Sequence, residues 1–325
     1  MSFDLAENLK AAIAVELQNA NSKALASAAT ELSLSYRSNI NTSQTRFASD
    51  IHRAAYLVTR FPATYAATQY VFSEVKRLLP ELEIKTLLDV CAGPGTASFA
   101  AIEAFEELEN ITVLERDAEM LALGQRLSQN AKYEALLSAQ RIRENVNTSF
   151  NPLPNDLIVI SYALNELNKE TKTRIVKQAW EACDKLLIII EPGTMRGFAN
   201  ILKARTELLA VNANLLAPCP HASSCPLAQN DWCHFSVRLM RTDLHRKMKS
   251  ASLAFEDEKF SYLVFSKVPG PQAQARILRR PLKHKGHVQL SLCTHESYKT
   301  EIISARDKEA YKRARKADWG DAWES

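Results

Sequence analysis

From residue 84 the chain alternates between apolar stretches of strand length and stretches with helical spacing, and this alternation leaves few folds open. IKTLLDV (84–90), NITVLERD (110–117), NDLIVISYAL (155–164) and DKLLIIIEPG (184–193) are rich in Val, Ile and Leu and read as strands buried on both faces. TASFAAIEAFEEL (96–108), AEMLALGQRLSQNA (118–131), KETKTRIVKQAWEAC (169–183) and RGFANILKARTELLAVN (196–212) read as the helices that follow. Repeated strand and helix specify an α/β protein with a mainly parallel sheet covered on both sides. Residues 1–80 read as helical, with Val71, Val75, Leu78 and Leu79 on one face, Pro62 early and Pro80 as a stop. KFSYLVFSKV (259–268) and GHVQLSLCTHE (286–296) read as two late strands. The expected organisation is a helical region over 1–80, a core over 81–212 and a Cys-rich insertion over 213–258. The last strands of the core follow over 259–298, and a basic tail over 299–325.

The first strand runs into LLDVCAGPGTASFAA (87–101), a strand–loop–helix. Asp89 ends the strand, and Gly93 and Gly95 open the helix, where missing side chains let the backbone come close to a ligand. Glu115 ends the second strand, a place from which a carboxylate can accept hydrogen bonds from a ribose diol. This order resembles the S-adenosylmethionine (SAM) site of class I methyltransferases, with Asp89, Gly93, Gly95 and Glu115 as the cofactor-binding residues. NAD-binding proteins favour GxGxxG, and Thr96-Ala97-Ser98 supplies no third glycine. Cys91 stands where the methyltransferase pattern usually has its first glycine, and reads as a small buried wall of the site. No catalytic residue is assigned. Asn165 and Glu166, after the fourth strand, are candidates for positioning a substrate, against the competing role of capping the helix near Lys169. Glu191-Pro192-Gly193 either lines the same pocket or turns the chain.

Six cysteines in 325 residues are too few for a disulfide framework, and a reducing compartment leaves their thiols free to ligate metal. Cys219, Cys225 and Cys233 fall in APCPHASSCPLAQNDWCHF, and Cys293 follows in LSLCTHE. Four thiolates suit either an iron–sulfur cluster or a structural zinc. The intervals lack C-x2-C knuckles, while His221 and His234 keep zinc open. Cys183 reads as core. No stretch is apolar for long enough to span a bilayer. The first twenty residues, with Asp4, Glu7 and Glu16, show no signal-peptide or transit-peptide pattern, so a cytoplasmic protein is expected. The net charge of +4 hides twelve Lys/Arg against four Asp/Glu over residues 271–316, which points to phosphate contact. Trp319 and Trp323 either stack on bases or anchor the tail to the body, the latter being favoured.

Several segments match one family over nearly the whole chain: RFPATYAA (60–67), LDVCAGPGTA (88–97), LNEL (164–167), IEPGT (190–194), CPHASSCPL (219–227), WCHF (232–235), LKHKGHVQLSLCT (282–294) and ADWGDAW (317–323). The chain resembles the methyltransferase-like proteins of the small ribosomal subunit found in mitochondria and bacteria. The resemblance implies a SAM-methyltransferase fold and association with the small subunit and its rRNA during assembly. It also implies a [4Fe–4S] cluster on Cys219, Cys225, Cys233 and Cys293. Methylation of rRNA is one expected activity, and a purely assembly-related role on the same fold is the other.

Overall fold

The computed structural model describes residues 3–37, 47, 49–227, 231–249 and 252–324. Four helices come first, α1 (Glu7–Glu16), α2 (Ser22–Arg37), α3 (Asp50–Thr59) and α4 (Phe61–Leu78). Residues 38–46 and 48 of the expected helical region lie outside the described residues. The alternating part follows as β1 (Thr86–Val90), α5 (Thr96–Ala104), β2 (Asn110–Glu115), α6 (Ala118–Ala131), α7 (Glu134–Leu137) and β3 (Gln140–Arg143). It continues as β4 (Asn155–Ser161), a 3-10 turn over Leu164–Glu166, α8 (Lys169–Glu181), β5 (Cys183–Pro192) and α9 (Met195–Leu209). Helix starts coincide with side chains that take up otherwise unpaired amides. Asp117 accepts from Glu119 and Met120 at the start of α6, Asn168 from Thr171 at α8, and Thr194 from Gly197 at α9.

β1, β2, β3, β4 and β5 pair in parallel in the order β3-β2-β1-β4-β5. Then β6 (Asn214–Ala217), β7 (Phe235–Met240), α10 (Asp243–Met248) and β8 (Phe255–Ser266) complete the sheet. β8 runs antiparallel to β5, and β6 and β7 pair end to end along its other side. The result is an α/β sheet of the class I SAM-methyltransferase type. Successive residues of each strand divide between its two faces. Leu157, Val159, Leu186 and Ile188 join α4, α5 and α6 in one core, whereas Ile158, Ile160, Leu187 and Ile189 join α8 and α9 in the other.

The last part departs from expectation. The strand expected at 286–296 as part of the core sheet is β11 (His287–Thr294), and it pairs elsewhere. With β9 (Ala275–Ile277), β10 (Leu282–His284), β12 (Tyr298–Ser304) and β13 (Ala322–Trp323) it makes a second, five-stranded sheet. β8 already carries β6 and β7 on its outer side, while Val288, Leu290 and Leu292 bury one face of β11 in a separate small core with Ile303 and Ala314. Ala314 belongs to α11 (Lys308–Lys316), so the described residues from 299 to 324 are folded, against the tail expected over 299–325. Trp323 is buried and the Trp319 indole N–H donates to the His234 carbonyl at 3.0 Å, so both tryptophans anchor this region. The 213–258 segment supplies β6, β7, α10 and the first four residues of β8, and departs from the main sheet mainly between β6 and β7. No helix among the described residues is long and apolar enough to cross a membrane.

Candidate functional site: a cleft and a four-cysteine cavity

A cleft of about 810 Å³ opens at the carboxyl ends of β1, β2, β4 and β5, where the strand order reverses between β1 and β4. Asp89, Gly93 and Glu115 line it; Gly95 sits behind, as the left-handed residue (φ +87°) that starts α5. Asp89 Oδ2 accepts from the Ser98 amide (3.0 Å) and hydroxyl (2.8 Å), so it fastens the first turn of α5 to β1. Burial pushes its carboxyl up to about 7, against those two bonds. Glu115 is latched to the glycine loop: Oε2 accepts from the Gly93 amide at 2.9 Å, and Oε1 from the amides of Arg116 and Asp117. Burial raises its pKa while these amides oppose the rise.

Cys91 takes the left-handed conformation at φ +57°, which explains why glycine is usual at its place. Tyr162, just after β4, does the same at φ +56°. Each such residue costs roughly 1–3 kcal/mol, and both line the cleft. Asn165 and Glu166 also line it, and neither caps α8, because Asn168 does. The Asn200 amide donates to both Asn165 Oδ1 and Glu191 Oε2 at 2.9 Å. Glu191 is buried behind the wall, and burial lifts its carboxyl to about 7; Pro192 and Gly193 face the cleft.

Two further cleft residues, Arg60 and Glu258, have no signal in the sequence that marks them as a unit with Tyr162. Arg60 donates from both terminal nitrogens to Glu258 (3.2 and 3.3 Å), and the Tyr162 hydroxyl donates to Glu258 Oε1 at 3.0 Å. Burial works against the Arg60 charge, and Glu258 with Tyr162 and Tyr36 together more than offset it, so its pKa is raised. Arg60 lies within RFPATYAA, but its partner is 198 positions away on β8.

The four candidate metal ligands come together around a second, small cavity lined by Cys219, Cys225, Cys233 and Cys293. The loop that carries three of them leaves β6 at Ala217 and returns to β7 at Phe235, two consecutive partners of β8, so both its ends are held. Cys293 arrives from the second sheet, in register with Arg276. Burial raises the pKa of Cys219, Cys233 and Cys293, and neighbouring thiols add to the rise. Arg205 works the other way on Cys219 and Cys293, so its guanidinium is close to both. Cys183 and Cys91 lie elsewhere, in or against the other core. His221 lines the cavity, with Nε2 3.6 Å from Cys293 Sγ, and His234 does not line it. Among the described residues, no group of three or more His, Cys, Asp or Glu side chains is set to hold a metal ion. A single tetrahedral zinc with bonds of ~2.3 Å would draw its thiolates to within about 4 Å of one another. The Trp232 indole ties the two regions, donating at 2.9 Å to the carbonyl of Gly193 in the cleft wall.

Known proteins give these features a context. Human mitochondrial ribosome assembly protein METTL17 is similar at 26% identity over 284 residues, covering 82% of this chain and 61% of that protein. The mitochondrial Rsm22-cox11 tandem protein 2 of Schizosaccharomyces pombe is similar at 24% over an alignment of 349 residues, 90% of this chain and 46% of that protein. The chain thus spans about half to three fifths of the length of these relatives. Among solved structures it is similar to magnesium protoporphyrin IX methyltransferase of Synechocystis with bound SAH, at 10% identity and a TM-score of 0.42, over 63% of this chain and 84% of that one. The family described as mitochondrial small ribosomal subunit Rsm22 matches residues 50–324, and the chain belongs to that family.

Proposed function

We propose that this protein is an assembly factor of the small ribosomal subunit, working in the cytoplasm, that binds SAM in the cleft and carries a [4Fe–4S] cluster on Cys219, Cys225, Cys233 and Cys293. It docks rRNA and transfers a methyl group to it. The observation that carries the reading is that one chain of the Rsm22 family holds both a glycine-loop cleft and four cysteines around a single cavity.

The cleft fits SAM on three counts. Its volume is in the range of small-molecule sites. A side chain at Gly93 would project between Met120 and Tyr56, so the bare backbone leaves room for a ligand there. Glu115 Oε2 has one backbone partner and keeps acceptor capacity for a ribose hydroxyl. When bound, SAM supplies a methyl group on a cationic sulfonium. This chain's Asp89 and Glu115 hold the loop beneath it, while Asn165, Glu166 and Tyr162 wall the end where an acceptor enters.

Multi-iron clusters, bridged by inorganic sulfide, need thiolates farther apart than one zinc does. The four thiols share a cavity without a carboxylate, and their intervals lack the C-x2-C knuckles of zinc sites, which favours the cluster over zinc. A group held there would join the β6–β7 loop to the second sheet and so steady the basic surface for RNA. On that surface Lys283, Lys285, Lys308, Lys312 and Arg315 are exposed, and Lys299 is exposed but paired with Glu301. Arg276 and Arg279 are excluded from it, because they pair with Glu74 and Asp231.

An assembly role without transfer is the second reading. It is favoured by Glu258, the buried carboxylate nearest Tyr162, being committed to Arg60 and so not free as a base. The test combines SAM binding by calorimetry, iron and sulfide content, and labelled methyl transfer to immature small subunits. Binding with transfer to rRNA supports the first reading; binding without transfer, with assembly intact in a Gly95→Asp variant, supports the second. No binding and no iron overturns both.

A further inference from the structure

Two of the residues that line the four-cysteine cavity carry a buried donor atom without a hydrogen-bond partner. Among the described residues five buried side-chain polar atoms lack a partner, and two of them, Arg205 Nε and the Tyr262 hydroxyl, belong to residues lining this cavity. Both residues are almost fully buried, at 4% and 1% exposure. An unpaired buried donor costs roughly 1–3 kcal/mol and is rare in native proteins. Two on one cavity of this size mark a place where an acceptor belongs.

The surroundings narrow the acceptor. Arg205 already uses Nη2 to hold the carbonyls of His221 and Ser223, both at 2.8 Å, so its position is fixed by the cysteine loop. Arg276, the other arginine on the cavity, spends its Nε on the Pro218 carbonyl and its Nη1 on Glu74 and the Gly320 carbonyl. The lining contains no Asp or Glu that could take up the spare donors. An acceptor that is anionic, soft and compatible with an apolar wall is what remains. Thiolates and inorganic sulfide meet that description.

We infer that Tyr262 O–H and Arg205 Nε–H are donors reserved for the sulfur atoms of the group held by the four cysteines, and that they set its reduction potential. The inference rests on the cluster reading above. A thiolate-ligated cluster is an anion and becomes more so on reduction, so donors to its sulfurs favour the reduced form. They position and tune the group without being its ligands.

Tyr262→Phe tests this cleanly, because it removes a hydroxyl that has no protein partner and keeps the ring among Phe235, Phe260 and Tyr70. In full-length protein purified without oxygen, iron and sulfide per chain should match the wild type. The metal-free protein should melt no lower, since an unpaired buried hydroxyl has gone. The potential from a dithionite titration followed by electron paramagnetic resonance should move negative, by about 59 mV for each tenfold shift in the one-electron equilibrium. Arg205→Lys, which keeps the charge and loses the Nε donor, should move it the same way. If it sheds its iron through the lost carbonyl contacts, Tyr262→Phe still decides. A Tyr262→Phe protein with wild-type potential and wild-type air sensitivity overturns the inference while leaving the cluster intact. A wild-type protein without iron and sulfide overturns the cluster reading itself.

Discussion

The cleft and the cysteine cavity lie in one fold but are built on opposite electrostatic plans. Among the described residues, eight carboxylates and five cationic side chains line the cleft, whereas the cavity has two arginines and no carboxylate. A cation is favoured in the first and an anion in the second. They differ as much in completion. The cleft's loop carboxylates, Asp89 and Glu115, are satisfied by backbone amides within β1–α5–β2, so that floor exists without a ligand. The cavity draws its cysteines from positions 219 to 293 and leaves two donors unpaired, so it depends on what fills it. A site made from local backbone is preformed, and a site made from distant side chains is finished by its occupant.

The largest effect should come from removing the occupant. Cys233→Ser is expected to abolish iron and sulfide binding. A bound group at a thousand times its dissociation constant contributes about 4 kcal/mol, and anaerobic denaturant unfolding should show a loss of that order. Cys183→Ser, in the core beside α8, should keep its iron and lose about 1 kcal/mol or less. Equal loss of iron in the two variants would break the distinction between a ligand cysteine and a core one.

Next in size is the longest-range pair in the cleft, Arg60 with Glu258. Arg60→Gln takes the cation from Glu258, which is 8% exposed, and among the described residues leaves Tyr162 as its side-chain donor. Breaking a mostly buried pair of this kind should cost about 3 kcal/mol. The deficit should ease in the double variant with Glu258→Gln, as measured in a double-mutant cycle. Additive losses would mean that the pair is screened and contributes little to the cleft.

The backbone plan of the cleft predicts a smaller effect from a residue that never touches ligand. A Cβ on Gly124 of α6 would lie 2.3 Å from the Pro94 carbonyl oxygen, so Gly124→Ala must push the glycine loop outward. Overpacking here should cost about 2 kcal/mol and weaken SAM binding about tenfold, equivalent to ~1.4 kcal/mol. Iron content should not change. A variant that binds SAM normally would show that the loop adapts and is not preformed.

What was legible in the sequence follows the same division. α6 matches its expected span of 118–131 because a 3.6-residue period, an Asp117 cap and the following turn are all local signals. β7 alternates Phe235, Val237 and Leu239 inward, a period-two signal hidden in a segment dominated by cysteines. β9 and β13, at three and two residues, are too short to carry a period, so the second sheet is not legible in the sequence. The four cysteines are legible because thiol chemistry is rare and conspicuous. Arg205 and Tyr262 are not, because α9 and β8 bring them to the cavity through packing that no spacing encodes. The Arg60–Glu258 pair is silent for the same reason.

The smallest effect separates the two regions by pH. Asp89 titrates at about 7 in the folded protein against 3.8 ordinarily, and Glu191 at about 7 against 4.5, in both cases through burial. Between those limits the folded state holds a proton that the unfolded state has released. Unfolding is therefore harder at low pH, and stability falls as pH rises toward 7, with the loss complete above it. From pH 6 to pH 8 a single such group accounts for about 1.4 kcal/mol. Asp89→Asn, whose amide oxygen can still accept from Ser98, should remove roughly half of the combined fall from these two carboxyls. Cys233→Ser should keep all of it, since the cavity contains no carboxylate. Equal slopes in wild type and Asp89→Asn would mean that Asp89 is already charged at pH 6. The floor of the cleft would then be held by an ion, and the cleft's negative lining would be stronger than burial allows.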